Sequence, residues 1–319
     1  MAPFPRYIFS TLVVANVQRA ITKSGILLID KPEGPSSASI VHKAKVILGA
    51  KKVGHLGTLD PFASGLLLLG INDGTKIADI FLRAPKSYSG VMTLGVETDS
   101  QDSTGAVIGV REVPPVGERD LRSLEQQFSG EVQQIPPMFS ALKRDGVRLY
   151  KLARQGREVP RQPRTIRIDA IQLRQLNSIE ISIEATCSRG TYMRTLASDL
   201  GKALGCGAHL KSLRRLACGH LSIHQAMTLN ELEQFGSRGE SALISLGMAL
   251  SHLRGIVWEN RWIDRLRLGQ QEVLRPIGKP VEKDEVVRII DTRGDLVALI
   301  GWNEEIPGGG WRLLRVFAQ

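Results

Sequence analysis

Cysteine is scarce in this 319-residue chain: Cys187, Cys206 and Cys218 stand alone, in no C-x-x-C pair and at no zinc spacing. That excludes a disulfide scaffold and predicts buried free thiols in a reducing, cytoplasmic setting. Long apolar runs are missing as well. No stretch approaches the roughly 20 residues that cross a bilayer, so no membrane partner is expected. The glycines of residues 70–76 do not have the spacing of a phosphate-binding P-loop. His220 and His224 stand four apart but lack the Glu of a zinc metalloprotease helix, and no metal is expected. The aspartates of 99–105 miss the EF-hand positions and its closing Glu, which leaves a polar hairpin turn. Acidic residues are in deficit: 42 Lys and Arg against 32 Asp and Glu give a net charge of +10, which favours a polyanionic partner.

What is present is an ordinary globular composition, 42% hydrophobic and 23% charged, with length enough for two domains. Residues 1–22 read as a disordered leader whose apolar patch, 7–17, lacks a signal-peptide cleavage site. A strand from Gly25 closes at the Lys31-Pro-Glu-Gly-Pro35 turn. Ser36 or Ser37 can then cap a helix with an apolar face of Ile40, Ala44, Ile47 and Leu48, stopped at Gly49. Strands are predicted over 66–69, 88–96 and 179–187, and helices over 121–128 and from 191 to about 204. Residues 206–246 read as helical and mixed. From 255 onward short strands, 286–290, 296–300 and 311–317, form a β-rich module, so units of 23–246 and 255–319 are expected. Residues 143–167 hold nine Lys or Arg against Asp145 and Glu158, a net +7. Pro160 and Pro163 prevent one helix there, leaving a short helix and an exposed arm.

One loop carries a candidate for chemistry. Residues 54–65 read Gly-His-Leu-Gly-Thr-Leu-Asp-Pro-Phe-Ala-Ser-Gly, with Asp60 at the centre of a glycine-punctuated turn. An Asp-Pro pair alone is normally a turn initiator. Its company changes that reading. The opening block Gly25 to Ser37, the loop 54–65, Pro136-Pro-Met-Phe-Ser-Ala-Leu-Lys143 with Ala153-Arg154-Gln155-Gly156, and Cys187-Ser-Arg-Gly-Thr-Tyr-Met-Arg194 with Leu213-Arg-Arg-Leu216 occur in one order. Over residues 25–216 the chain resembles the TruB family of tRNA pseudouridine-55 synthases, departing at Leu56, Phe62 and Ser64, which flank the carboxylate.

The resemblance implies an α+β pseudouridine synthase fold: a mixed, largely antiparallel sheet with flanking helices, plus a PUA-like RNA-binding module at the C-terminus. It implies isomerisation of uridine 55 in the T-loop of tRNA by base flipping, without a cofactor. Asp60 would be the catalytic carboxylate and Arg194 its ion-pair partner. Tyr88 would stack on the target base, Tyr192 and Leu213 would line the uracil pocket, and His55 would fill the vacated stack. Lys76 would lie near the site, with Lys143 and Arg154 in the region contacting RNA. The chain would act as a monomer with no obligatory protein partner. Two alternatives are a non-catalytic tRNA-binding chaperone and a guide-dependent ribosomal RNA pseudouridine synthase.

Overall fold

The computed structural model describes residues 21–306 and 308–317. Most of the expected leader, positions 1–20, lies outside the described residues. Strand β1 (Gly25–Lys31) runs into the proline turn, and helix α1 (Ser37–Leu48) starts where the Ser36 hydroxyl accepts the Ser39 N–H. Gly49 ends α1 in the left-handed conformation, φ 58°, which costs a residue without Cβ nothing.

There follow β2 (Val53–His55), the Asp60 loop, β3 (Ser64–Ile71), a 3-10 turn at Asn72–Ile77 and α2 (Ala78–Arg83). Next come β4 (Lys86–Leu94), the short pair β5 (Val96–Thr98) and β6 (Val107–Val110), α3 (Glu118–Gln127) and β7 (Gly130–Gln134). The basic stretch carries a small hairpin, β8 (Lys143–Arg144) and β9 (Val147–Arg148), and then α4 (Leu149–Ala153). The chain continues through β10 (Arg164–Gln175), β11 (Glu180–Cys187), α5 (Met193–Ala203), β12 (Ala208–Cys218), β13 (Leu221–Ser222), α6 (Leu229–Phe235) and α7 (Leu246–Ala249). It closes with β14 (Gly255–Val257), α8 (Asn260–Arg267), β15 (Val286–Ile290), β16 (Leu296–Asn303) and β17 (Gly310–Val316).

The large sheet has the order β1-β3-β12-β4-β11-β10-β7, with β2 also on β3 and β13 also on β12. It is antiparallel except where β12 meets β3, at Arg214↔Ser64 and Arg215↔Gly65. β1 covers one edge of β3 from residue 65 to 71, so the other edge is shared: β2 takes 69–71 and β12 takes 64–65. The loop joining β2 to β3 therefore opens where two strands diverge, and the sheet itself presents Asp60. Gly65 makes that junction possible. Its φ is 100°, and a Cβ there would lie 2.4 Å from the Arg215 carbonyl oxygen.

The apolar run 66–69 is continuous because both faces of β3 are covered. Leu67 and Leu69 join Leu27, Ile29 and Ile40 of α1 in the main core. Leu66 and Leu68 face the other way, into a cluster that includes Ile26, Phe81 and, from the C-terminal module, Leu299 and Phe317. Each of the four leucines, 1% exposed or less, contributes on the order of 2 kcal/mol of burial free energy. The module is a four-stranded sheet, β14-β15-β16-β17, with its own core around Leu266, Ile289, Ile300 and Trp311. It also contains α8, which a strand-only reading from residue 255 overlooks.

The reading of 206–246 as helical needs a larger correction. Residues 208–218 form an eleven-residue strand between β3 and β4 at the middle of the sheet. The cause is local. Register shifts between Leu210 and Ser212 and between Arg215 and Ala217 break the period-2 alternation, so Leu210, Leu213 and Ala217 fall at helix-like intervals. The predicted strand 88–96 is two, β4 and β5, divided at Gly95.

Candidate active site

Asp60 and Arg194 meet although 134 positions separate them in sequence. The Arg194 Nε lies 2.9 Å from Asp60 Oδ2. The two groups differ in exposure: the arginine side chain is 5% exposed, whereas the aspartate keeps 41%. A buried cation thus holds one oxygen of a carboxylate whose remaining edge faces outward. Arg194 is in turn fixed by its other nitrogens. Nη1 donates to the Ser100 carbonyl at 2.8 Å and lies 3.6 Å from Asp102 Oδ2; Nη2 donates to the Phe139 carbonyl at 2.7 Å. Asp102 is itself buried and accepts from the Ser100 hydroxyl at 2.7 Å and from the Thr104 N–H and hydroxyl at 3.0 and 2.6 Å. A planar guanidinium spreads its donors over three separate nitrogens and so reaches partners this far apart, whereas an ammonium must reach all its acceptors from one atom.

The loop that carries Asp60 rests on two more buried cations. Lys31, at the end of β1, donates to the carbonyls of Pro32 at 2.8 Å, Pro35 at 2.9 Å and Pro61 at 3.2 Å. Burial pushes its pKa down to about 8, against the opposing pull of Asp60 and Glu33, so it remains largely charged at neutral pH. Arg215, on β12, donates to Leu66 O at 2.7 Å and to Thr58 O and Gly57 O at 3.2 Å each. Together they tie the carbonyls on both sides of Asp60 to the sheet. Lys31→Met leaves three carbonyls without that donor, with an expected loss of ~2–3 kcal/mol in stability and about tenfold in isomerisation rate. Urea denaturation and a single-turnover assay check this; unchanged values in both would show that the ammonium does not set the loop.

The remaining predicted residues fall into two groups. Tyr192 stands immediately before α5 with its phenol beside Ser140 and within reach of the charges of Asp60 and Arg194; burial raises its pKa. Tyr88 lies directly across β4–β12 from Arg215, and burial raises its hydroxyl too, so both phenols stay neutral at physiological pH. Leu213 is buried on the same strand, two positions before Arg215. His55 ends β2; desolvation, and then the Arg215 charge, hold its pKa below 6.5, so the imidazole is neutral at pH 7.

Lys76, Lys143 and Arg154 do not join this group. The Lys76 ammonium pairs with Asp73 at 2.9 Å and donates to the Val316 carbonyl at 3.2 Å, which ties it to β17 of the C-terminal module. Lys143 and Arg154 are exposed on the basic segment, where Arg154 lies over the Tyr150 ring. That segment has a core of its own, Met138, Leu149 and Leu152.

Sequence reasoning missed Lys31, Arg215 and Asp102, together with Gln134, whose amide bonds the Tyr192 backbone. Lys31 follows the apolar run of β1, which was a signal for a buried, partnered cation, whereas Arg215 stands among other polar residues of β12 and carried none. Asp102 carried no such sign, because its turn alone satisfies a bland reading. All three cysteines are free and buried, as expected. No group of three or more His, Cys, Asp or Glu able to hold a metal occurs among the described residues.

Comparison with known proteins gives the family. Residues 45–193 match the TruB family pseudouridylate synthase N-terminal domain, and residues 194–254 match the tRNA pseudouridylate synthase B C-terminal domain. The protein named tRNA pseudouridine synthase B of Geotalea uraniireducens is 42% identical over 298 residues, 91% of this chain and 94% of its own. Its namesake in Geobacter sulfurreducens is 38% identical over 92% of this chain and 99% of its own. The one from Bordetella avium is 46% identical over 70% and 91%. Among solved structures, a chain of a Cbf5-Nop10-Gar1 complex superposes with a TM-score of 0.67 at 25% identity, over 87% of this chain and 78% of that one. By sequence, fold and the order of its motifs, this chain belongs to the TruB family of pseudouridylate synthases.

Proposed function

We infer that this protein isomerises uridine to pseudouridine at position 55 in the T-loop of tRNA, acting without a guide RNA. The reading rests above all on the half-exposed Asp60 carboxylate held by buried Arg194 where the family sheet splits. Relatives 38–46% identical carry the name tRNA pseudouridine synthase B, whereas the Cbf5 chain is 25% identical.

The reaction breaks the bond from the sugar C1′ to N1, turns the uracil and rejoins it at C5; the C5 proton is lost and N1 gains one. It needs one ionised, aimed carboxylate, used either as a nucleophile on the sugar or as a base toward it. Asp60 supplies that group and Arg194 holds it. The uridine is first extruded from the loop, a step that costs unstacking energy. Tyr88, Tyr192 and Leu213 receive the uracil, and the neutral His55 ring fills the gap left behind. The segment 135–163 and the first residues of β10 lie along the RNA backbone. Lys76 has a different part in this reading: it fastens the C-terminal module, residues 255–319, to the unit of 23–246. The enzyme works as a monomer in the cytoplasm; among the described residues no helix is long and apolar enough to cross a membrane.

The decisive experiment uses the purified protein and a T-arm stem-loop alone. Stoichiometric pseudouridine at the position corresponding to 55 is the expected result. No product from the T-arm, with product appearing only when a guide RNA is added, would transfer the assignment to the guide-dependent class. Binding in the same titration should weaken steeply with salt. With five or six phosphates neutralised, log K should fall against log[salt] with a slope of about −4 to −5. A double Lys143→Glu, Arg154→Glu variant should bind at least ~10-fold more weakly, with a slope shallower by about 2. An unchanged slope would remove the arm from the interface.

A further inference from the structure

The segment 135–163 leaves the large sheet after Gln134 and returns at Arg164, and these two residues are partners in the β7–β10 register. Gln134 is buried at this base, 3% exposed. Its Oε1 accepts the Tyr192 N–H at 2.8 Å and its Nε2 donates to the Tyr192 carbonyl at 3.1 Å. Both bonds go to backbone, so the amide grips the entrance of α5 whatever the Tyr192 side chain does. Tyr192 offers α5 no side-chain cap of its own. Two residues on stands Arg194, whose Nη2 donates to the Phe139 carbonyl, five residues beyond Gln134. The path from Gln134 to Tyr192, to Arg194, to Phe139 and back along the chain is a closed ring. It joins the base of the basic segment to the cation that holds Asp60.

We propose that Gln134 is a positioning residue for the isomerisation: its amide sets the height of the first turn of α5, so that Arg194 meets Asp60 and Phe139 together. This rests on the function proposed above. Glutamine suits the task because one planar group offers an acceptor and a donor to a single residue's N–H and C=O. Glutamate keeps only the acceptor, and methionine fills the volume with neither. A shift of about 1 Å in a group that aims a reactant costs on the order of 10²-fold in rate.

The test measures single-turnover rates on saturating T-arm for wild type, Gln134→Met and Gln134→Glu, each also combined with Arg194→Lys. Gln134→Met should slow the reaction about 30-fold, and Gln134→Glu, which sets a carboxylate oxygen against the Tyr192 carbonyl, at least as much, while T-arm Kd stays within about twofold. On the Arg194→Lys background the Met substitution should cost less than about threefold more, because it acts through a contact already lost. A rate for Gln134→Met within about twofold of wild type would overturn the proposal. So would a loss that multiplies in full with Arg194→Lys, or one that follows weakened RNA binding. If Gln134→Met is unfolded at the assay temperature, Gln134→Glu decides by the same two readouts. A wild type that binds the T-arm without turning it over would refute the function itself, whereas an active wild type beside an unimpaired Gln134→Met refutes only the positioning role.

Discussion

Asp60→Asn should form no pseudouridine, with a single-turnover rate at least ~10⁴-fold below wild type and T-arm affinity within about twofold. The substitution is nearly isosteric. Its amide oxygen can still accept from Arg194 Nε at the present 2.9 Å, so the loop keeps its place on Lys31 and Arg215. What disappears is the charge, and with it any capacity to attack the sugar or take a proton from it. The surfaces proposed to meet RNA are untouched: the basic segment, His55 at the end of β2, and Tyr88 and Tyr192 keep their own side chains and supports. Rate and affinity should therefore separate cleanly. An Asp60→Ala control guards against trace activity from asparagine hydrolysing back to aspartate. Turnover retained in both variants would dismiss the carboxylate chemistry. Wild-type binding without turnover would instead leave a chaperone.

How much of this site could be read from sequence depended on how local each cause was. The bounds of α1 were legible because Ser36 and Gly49 act within one turn of chain. β1, β3 and β11 were legible because runs and alternations report burial directly. β12 was not, since its two bulges hide a strand behind helix-like spacing. The same limit governs the site. Asp60, Arg194 and Tyr192 sit in motifs that resemble a family's, so they could be named before the fold was known. Lys31 acts on carbonyls of its own turn and of Pro61, Arg215 on carbonyls of the Asp60 loop and β3, and a carbonyl has no signature in sequence. Asp102 shows the cost of a bland reading that is locally sufficient. Its bonds to Ser100 and Thr104 make the expected turn, and its approach to Arg194, 3.6 Å away, depends on α5, some ninety residues later. Lys76 is the converse case: a residue assigned near the site by resemblance, whose ammonium serves the join to β17.

Arg194→Lys is the second substitution with a large expected effect: a rate ~10²–10³-fold lower, equivalent to about 3–4 kcal/mol of transition-state stabilisation, with RNA affinity nearly unchanged. The charge survives, so a lysine that merely neutralised Asp60 would do well. Geometry says otherwise. Arg194 spans Asp60 Oδ2, the Ser100 and Phe139 carbonyls and the edge of Asp102, and these partners are spread around a planar fork. A single Nζ cannot reach all of them, and the deeper ones, Ser100 O and Asp102, compete with Asp60 for it. Whenever the ammonium sits among the deeper acceptors, Asp60 is left unaimed. Arg194→Met should behave differently. Removing the cation leaves buried Asp102 without its opposite charge, and the penalty of ~3–5 kcal/mol should appear in denaturant midpoint as well as in rate. The comparison separates two functions of one residue: lysine tests aim with charge retained, and methionine tests charge and packing together. Equal rates in the two variants would mean that charge on the arginine contributes nothing beyond geometry. A lysine variant as fast as wild type would mean that charge alone suffices and that the four-way fork is incidental.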